Sequence, residues 1–386
     1  MKHSDAPSPP ELAGRGPRRS RWLRAATLAL AAATDTAAAD GGAVDAVRLE
    51  DHGAVCDGVT DDAAAIERAI ERARQLRRPV RVPKGRCAFG DVIRLEGVAL
   101  RGSGPDSQLH ALDWAGSAIF MSGTRPAVSD LTLSGVPAPS RKADLEMTRI
   151  TVVGATDFAI ERVVIEGAAA AGIQTSMAPT RGRIVGNIVR NTLSDGIHLT
   201  DGASHLLVED NLVEQSGDDG IAVVSYWSDA LSVSHVIARR NVVRNNRWGR
   251  NMSVVGGSQV RYENNLLQGN LAGLACLYIA QEDRSVATKA SIDVTAERNT
   301  LENCGGARHA AVMVFSDGKA SNERIRLRRN DIRPGGPTGI RVFSRWNVDV
   351  LLEANRIAES ARPLDVSGPS VNVIPYTDGP AGHRGE

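Results

Sequence analysis

Residues 187–257 read NIVRNTLSDGIHLTDGASHLLVEDNLVEQSGDDGIAVVSYWSDALSVSHVIARRNVVRNNRWGRNMSVVGG. One phrase recurs: an Asn, an apolar pair, a small polar turn, then Gly-Ile and a short apolar strand. Asn187 precedes Gly196-Ile197 by nine residues, Asn211 precedes Gly220-Ile221 by nine, and Asn241 precedes Asn251-Met252 by ten. Further on, Asn265 leads to Gly273-Leu274, Asn299 to Ala311-Val312 and Asn330 to Gly339-Ile340, and Asn355 starts a fading copy; the steps are 24, 30, 24, 34, 31 and 25 residues. A looser copy runs from Glu161-Arg162-Val163 to Gly172-Ile173. Units of this size, with short β-branched strands and Gly/Asn/Asp turns, are coils of a parallel β-solenoid. One coil cannot bury its own inner face, whereas stacked coils pair equivalent strands at roughly 4.8 Å. The recurring Asn reads as a left-handed turn residue whose amide bonds to its equivalent in the next coil.

Composition agrees with a narrow apolar core. Of 386 residues, 42% are hydrophobic but only 4% aromatic. A formal net charge of +1 gives no case for nucleic acid as a partner. Residues 1–39 read as an export signal: Arg15, Arg18, Arg19, Arg21 and Arg24, a short apolar run at 25–33, and Ala37-Ala38-Ala39 before Asp40. The run is too short to span a bilayer, so the expected location is periplasmic or extracellular with no membrane span once the signal is removed. Disulfides are permitted there. Cys56 and Cys87 flank the first helix–strand unit and are read as a pair, while the pairing of Cys276 and Cys304 stays open.

Ile66, Ala69, Ile70, Ala73 and Leu76 recur at helical spacing after Thr60-Asp61-Asp62, with Thr60 as the expected cap. This helix would cover the open edge of the first coil. The run GAVCDGVTDDAAAIERAI, followed by VRVPKGRCAF and VALRGSG, resembles the N-terminal segment of the pectate-lyase-like superfamily over about residues 47–104. The resemblance implies an all-β, right-handed parallel β-helix with an N-terminal capping helix, and it suggests carbohydrate. The expected organisation is a cap over 45–96, a β-helix over 97–374 and a loose tail over 375–386.

Longer coils mark where loops rise. YWSD at 226–229 follows the strand at 221–224, QEDRS at 281–285 follows 274–279, and SDGK at 316–319 and FSRW at 343–346 take the same place. Insertions on one face commonly wall a binding groove. Tyr226, Trp227, Trp248, Tyr278, Glu282, Arg284 and Trp346 are therefore the expected substrate-binding residues. Asp195, Asp218 and Asp219 occupy one turn of successive coils. Three acids that close repel one another, so at least one pKa rises, and a raised acid beside an ionised one suits glycoside hydrolysis. The alternatives are a Ca²⁺ site at the same three Asp, or turn residues satisfying backbone N–H groups.

SDGIH followed by GDDGIAV is similar to the polygalacturonase family, which places an Asp in an NTDG phrase, a DD pair about one coil later, a His beyond it and then an RIK phrase. The resemblance implies acid and base roles for Asp195, Asp218 and Asp219. Arg250 stands where that family has His, and no RIK phrase is present. Arg250 as proton abstractor would suit a lyase or epimerase acting on a uronate polymer, and His198 is a further acid–base candidate. The leading expectation is a hydrolase without a cofactor, acting on a polysaccharide or oligosaccharide. The alternatives are the Ca²⁺-dependent lyase or epimerase and a non-catalytic glycan-binding β-helix.

Overall fold

The computed structural model describes residues 46–376 except 284, 285, 359 and 369. The expected export signal, Arg284 and the chain beyond Tyr376 lie outside the described residues. Among the described residues the strands form three parallel sheets of 13, 12 and 11 strands, and a typical coil gives one strand to each. Thr180–Val185 lies in the first sheet, Ile188–Thr192 in the second and Ile197–Leu199 in the third; Ser204–Glu209 then returns to pair with Thr180–Val185. Period-2 alternation sends one side of every strand inward. In the third sheet Ile173, Ile197, Ile221, Met252, Leu277, Val312 and Ile340 stack one above another inside the core, all buried.

The recurring Asn forms a continuous ladder. Asn187 Nδ2 donates to Asn211 Oδ1 at 2.9 Å, and the same bond links Asn211 to Asn241, Asn241 to Asn265, Asn265 to Asn299, Asn299 to Asn330 and Asn330 to Asn355. The left-handed residue of this turn is not the Asn but the one before it: Gly186, Asp210, Arg240, Asn264, Arg298, Arg329 and Ala354 all have positive φ. The reversal is made one residue early, which leaves the Asn side chain turned inward, where backbone groups need partners.

The Gly before Ile has a different cause. A Cβ on Gly220 would lie 2.6 Å from the Asn251 carbonyl oxygen and 2.3 Å from Val243 Cγ1, with near-identical clashes at Gly172 and Gly196. Gly220→Ala must therefore push apart the coils that carry Asp219 and Arg250. We expect a loss of about 1–3 kcal/mol in urea unfolding, together with lower activity.

The register slips once against expectation. Met252 pairs with Leu277, not with Leu274, so the strand is Leu277–Gln281. The preceding turn is longer: Asn270 Oδ1 accepts the Leu274 N–H at 3.1 Å, and Cys276 is disulfide-bonded to Cys304. Cys56 and Cys87 are also bonded, as expected.

The helix spans Ala63–Leu76 and lies against Val47–Arg48, Val80–Arg81 and Ile93–Glu96, with Ile66, Ala69, Ile70 and Ala73 in the core. Thr60 does not cap it. Thr60 belongs to the strand Asp57–Asp61 and is bonded to Asp57, while Asp61 Oδ1 accepts the Ala63 N–H at 3.0 Å. Asp62 folds back onto the N–H groups of Val55 and Cys56.

Candidate active site

The outward face of the third sheet floors a groove of about 870 Å³. His198, Ala222, Ser253, Tyr278 and Met313 form one column along it, and Val224, Val255, Ala280, Phe315 and Phe343 a second. The corner between the second and third sheets supplies Asp195, Asp218, Asp219, Trp248 and Arg250; the corner after the third sheet supplies Tyr226 and Glu282.

Asp195, Asp219 and Arg250 are in register, because Gly196 N–H donates to the Asp219 carbonyl and Gly220 N–H to that of Arg250. Their side chains continue a short ladder. Asp195 Oδ1 accepts the Asp219 N–H at 2.9 Å, and Asp219 Oδ1 accepts the Arg250 N–H at 2.6 Å. The turn role considered for these aspartates is thus realised with one oxygen of each. The other oxygens differ: Asp195 Oδ2 lies 3.0 Å from His198 Nδ1, and Asp219 Oδ2 is bonded to the Ser253 hydroxyl. Asp218 is more open and pairs with Arg141 at 2.6 Å.

These surroundings drive the acids apart. For Asp195 burial opposes ionisation, but the charge and hydrogen bond of His198 outweigh it and hold the carboxyl below its ordinary range. For Asp219 burial is the largest cause; with the charges of Asp218 and Asp195 it pushes the group up to about 7 against the pull of Arg250. Asp218 is raised as well, by burial and by Asp195. His198 is raised, since Asp195 outweighs the burial of its ring. Its Nε2 is buried and has no hydrogen-bond partner, and it lines the groove.

Arg250 sits over the Tyr278 ring at 4.0 Å and reaches Glu282 at 2.9 Å, with its Nη1 3.8 Å from Asp219. Burial works against the cation, yet Asp219, Tyr278 and Glu282 hold it protonated more firmly than usual. Burial and nearby acids push the Tyr226 phenol up to about 12, so it too stays protonated.

The three Asp place one oxygen each within 4.8 Å of the others. Both oxygens of Asp195, both of Asp219 and one of Asp218 already face protein donors or cations, so a Ca²⁺ ion, which takes six to eight oxygens, would need further ligands beyond these three residues.

Of the expected substrate-binding residues, Tyr226, Trp248, Tyr278 and Glu282 line the groove, and Trp248 is 59% exposed. Trp227 and Trp346 do not. The Lys319 ammonium lies over Trp227 at 4.9 Å, and Trp346 packs on Gly318. Residues not anticipated are Arg141, Ser253, His309, Phe315 and Phe343. Arg141 had a signal: its loop turns the same corner, second sheet to third, as the SDG and GDDG phrases.

The family described as "right handed beta helix region" matches residues 117–281. No curated protein matches the chain in sequence. Among solved structures, the Agl-KA catalytic domain is 17% identical over 86% of this chain and 68% of its own, with a TM-score of 0.71. The A-module of a mannuronan C-5 epimerase from Azotobacter vinelandii is 16% identical over 84% and 99%, with a TM-score of 0.62. The catalytic unit of a thermostable alpha-1,3-glucanase from Streptomyces thermodiastaticus is 17% identical over 89% and 70%, with a TM-score of 0.65. At these identities the likeness is one of fold. The chain is a right-handed parallel β-helix.

Proposed function

We propose that this chain is an exported polysaccharide-active enzyme that hydrolyses glycosidic bonds. One observation carries the reading: Asp195 and Asp219 are joined by a single hydrogen bond in a groove, yet their surroundings push their pKa values in opposite directions. Divergent titration of neighbouring carboxyls is how one site holds an acid and a base at the same pH. Asp219 keeps a proton near neutrality and gives it to the glycosidic oxygen. Asp195, ionised and fixed by His198, takes the proton of the attacking water. Arg250 orients substrate. The fold neighbours support carbohydrate as the substrate class, since one is an alpha-1,3-glucanase solved with tetrasaccharides. Two disulfides support export to an oxidising compartment.

The acids lie within 4.8 Å of one another, closer than the roughly 6.5–9.5 Å of an inverting pair. The anomer released first is the readout that separates inversion from retention. A panel of neutral and uronate polysaccharides, incubated with and without EDTA while reducing ends and ultraviolet absorbance are followed, tests the class. We expect new reducing ends, no absorbance and no effect of EDTA. Absorbance that disappears with EDTA would establish a lyase. Binding without turnover, unchanged in Asp219→Asn, would establish a glycan-binding module.

A further inference from the structure

Near the start of each coil's strand in the first sheet, one residue takes the left-handed conformation. These positions lie in register from coil to coil and form a column to which Asp157, Arg181, His205, His235, Asp293 and Arg324 belong, all with positive φ. Side chains in the column meet their neighbour one coil away. Two such pairs are complementary: Arg181 Nε donates to Asp157 Oδ1 at 2.7 Å, and Arg324 donates Nε and Nη2 to the two oxygens of Asp293. His205 and His235 depart from this. Here two like side chains meet, stacked with ring centroids 4.3 Å apart and planes 9° from parallel. Both residues are exposed. Their own column neighbours are Arg181, already held by Asp157, and Gln259, a neutral amide. Neither is an acid.

We infer that His205 and His235 are the two protein ligands of a site for a divalent transition-metal cation, Cu²⁺, Ni²⁺ or Zn²⁺. Neutral imidazole is the commonest protein ligand for metals and suits these three ions. A shared cation gives two like groups the complement that Arg gives Asp elsewhere in the column. Neighbouring strands stand roughly 4.8 Å apart, which puts two imidazoles within reach of one ion at about 2.0–2.1 Å from each nitrogen. Parallel rings do not converge, so ligation tilts each ring toward the other about its own side-chain torsions, and exposure leaves them free to turn. Water fills the remaining positions. The site lies on the first sheet, and neither His lines the groove on the third. His205 follows Asp195 and His198 along one coil, and His235 follows Asp219 and Tyr226 along the next. The ion therefore ties the coil of Asp195 to the coil of Asp219 from the far side of the solenoid. It adds stability and leaves turnover unchanged, so the inference does not depend on the carbohydrate reading.

The test is calorimetric titration of the full chain, stripped with EDTA and dialysed, with the chlorides of Cu²⁺, Ni²⁺ and Zn²⁺. His205→Asn and His235→Asn are made singly and together, because Asn accepts the left-handed backbone but has no ring nitrogen. The double variant keeps every other His, so its residual binding measures them. We expect each single replacement to weaken the site at least about tenfold, since even an outer-shell change costs about 10–100-fold. Cu²⁺ should bind more tightly than Ni²⁺ or Zn²⁺. Moving from pH 7.5 to pH 5 should weaken binding, because protons compete for the nitrogens. Saturating Zn²⁺ should raise the melting temperature of the wild type and leave that of the double variant unchanged. Electron paramagnetic resonance of the wild-type Cu²⁺ complex, which needs no variant, should show two imidazole nitrogens on the ion. Titrations of wild type and double variant that superimpose, affinity that depends on only one of the two His, or a spectrum with a single nitrogen overturns the inference. So does a Zn²⁺-induced rise in melting temperature that is equal in both proteins.

Discussion

Asp219→Asn is expected to lower kcat by about 10²–10⁴-fold, the usual contribution of a general acid, while making the fold more stable above neutral pH. The two halves of this prediction have one origin. Burial raises the Asp219 carboxyl to about 7, against about 3.9 in an unfolded chain. Between those values the folded state binds the proton more tightly than the unfolded state does. Stability contributed by this group is present at low pH and is lost as pH climbs through that window. An amide has nothing to lose there. Its oxygen still accepts the Arg250 N–H, its nitrogen can donate to Ser253, and Arg250 keeps Glu282. Melting temperatures of the two proteins from pH 4 to pH 9 should converge at the acid end and separate at the alkaline end, with Asn higher. Wild-type activity should fall above about pH 7, as the acid loses its proton. A variant equally inactive but less stable at every pH would make Asp219 a structural turn residue.

This coupling of chemistry to burial explains what the sequence could and could not disclose. The coil repeat was legible because the ladder Asn and the close-approach Gly are demanded by coil stacking and so recur at the same place in each coil. The acids were legible because Asp195 and Asp219 occupy that same repeating turn. The environment that separates them was not. His198 meets Asp195 within one coil and could be anticipated, but Arg141 reaches Asp218 from a corner three coils earlier, and Ser253 reaches Asp219 from the next coil. Such contacts depend on which side chains share a face, and a three-residue lengthening of one turn, as before Leu277, shifts that face without any change in composition. Among the aromatics, Trp227 and Trp346 stand on the loops beside the groove, while Phe315 and Phe343, hidden in the strand alternation, line the groove itself.

Asn241→Ala should cost far more stability than the same substitution at the open end of the ladder. The Asn241 oxygen accepts both the backbone N–H of Asn211, at 3.0 Å, and its Nδ2, at 2.9 Å; its own Nδ2 donates to Val208 O and to Asn265 Oδ1. All of this is fully buried, so water cannot replace the missing partner. Two stranded donors at about 1–3 kcal/mol each set an expected cost of about 3–5 kcal/mol in urea unfolding. Asn355, at the far end of the ladder, is only partly buried and receives the same pair of bonds from Asn330. There water can take over, and Asn355→Ala should cost about 1 kcal/mol. The contrast separates a buried ladder from a repeated turn preference, which would cost the same at both positions. It also bears on catalysis. Asn211 and Asn241 head the successive coils that carry Asp219 and Arg250, and those two side chains are tied directly by the Arg250 N–H to Asp219 bond and a 3.8 Å ion pair. Loosening the ladder at Asn241 should therefore lower kcat without moving the alkaline limb of the pH profile, because the burial of Asp219 is kept while the position of Arg250 is not. A shift of that limb toward lower pH would show that the ladder also keeps water from the acid.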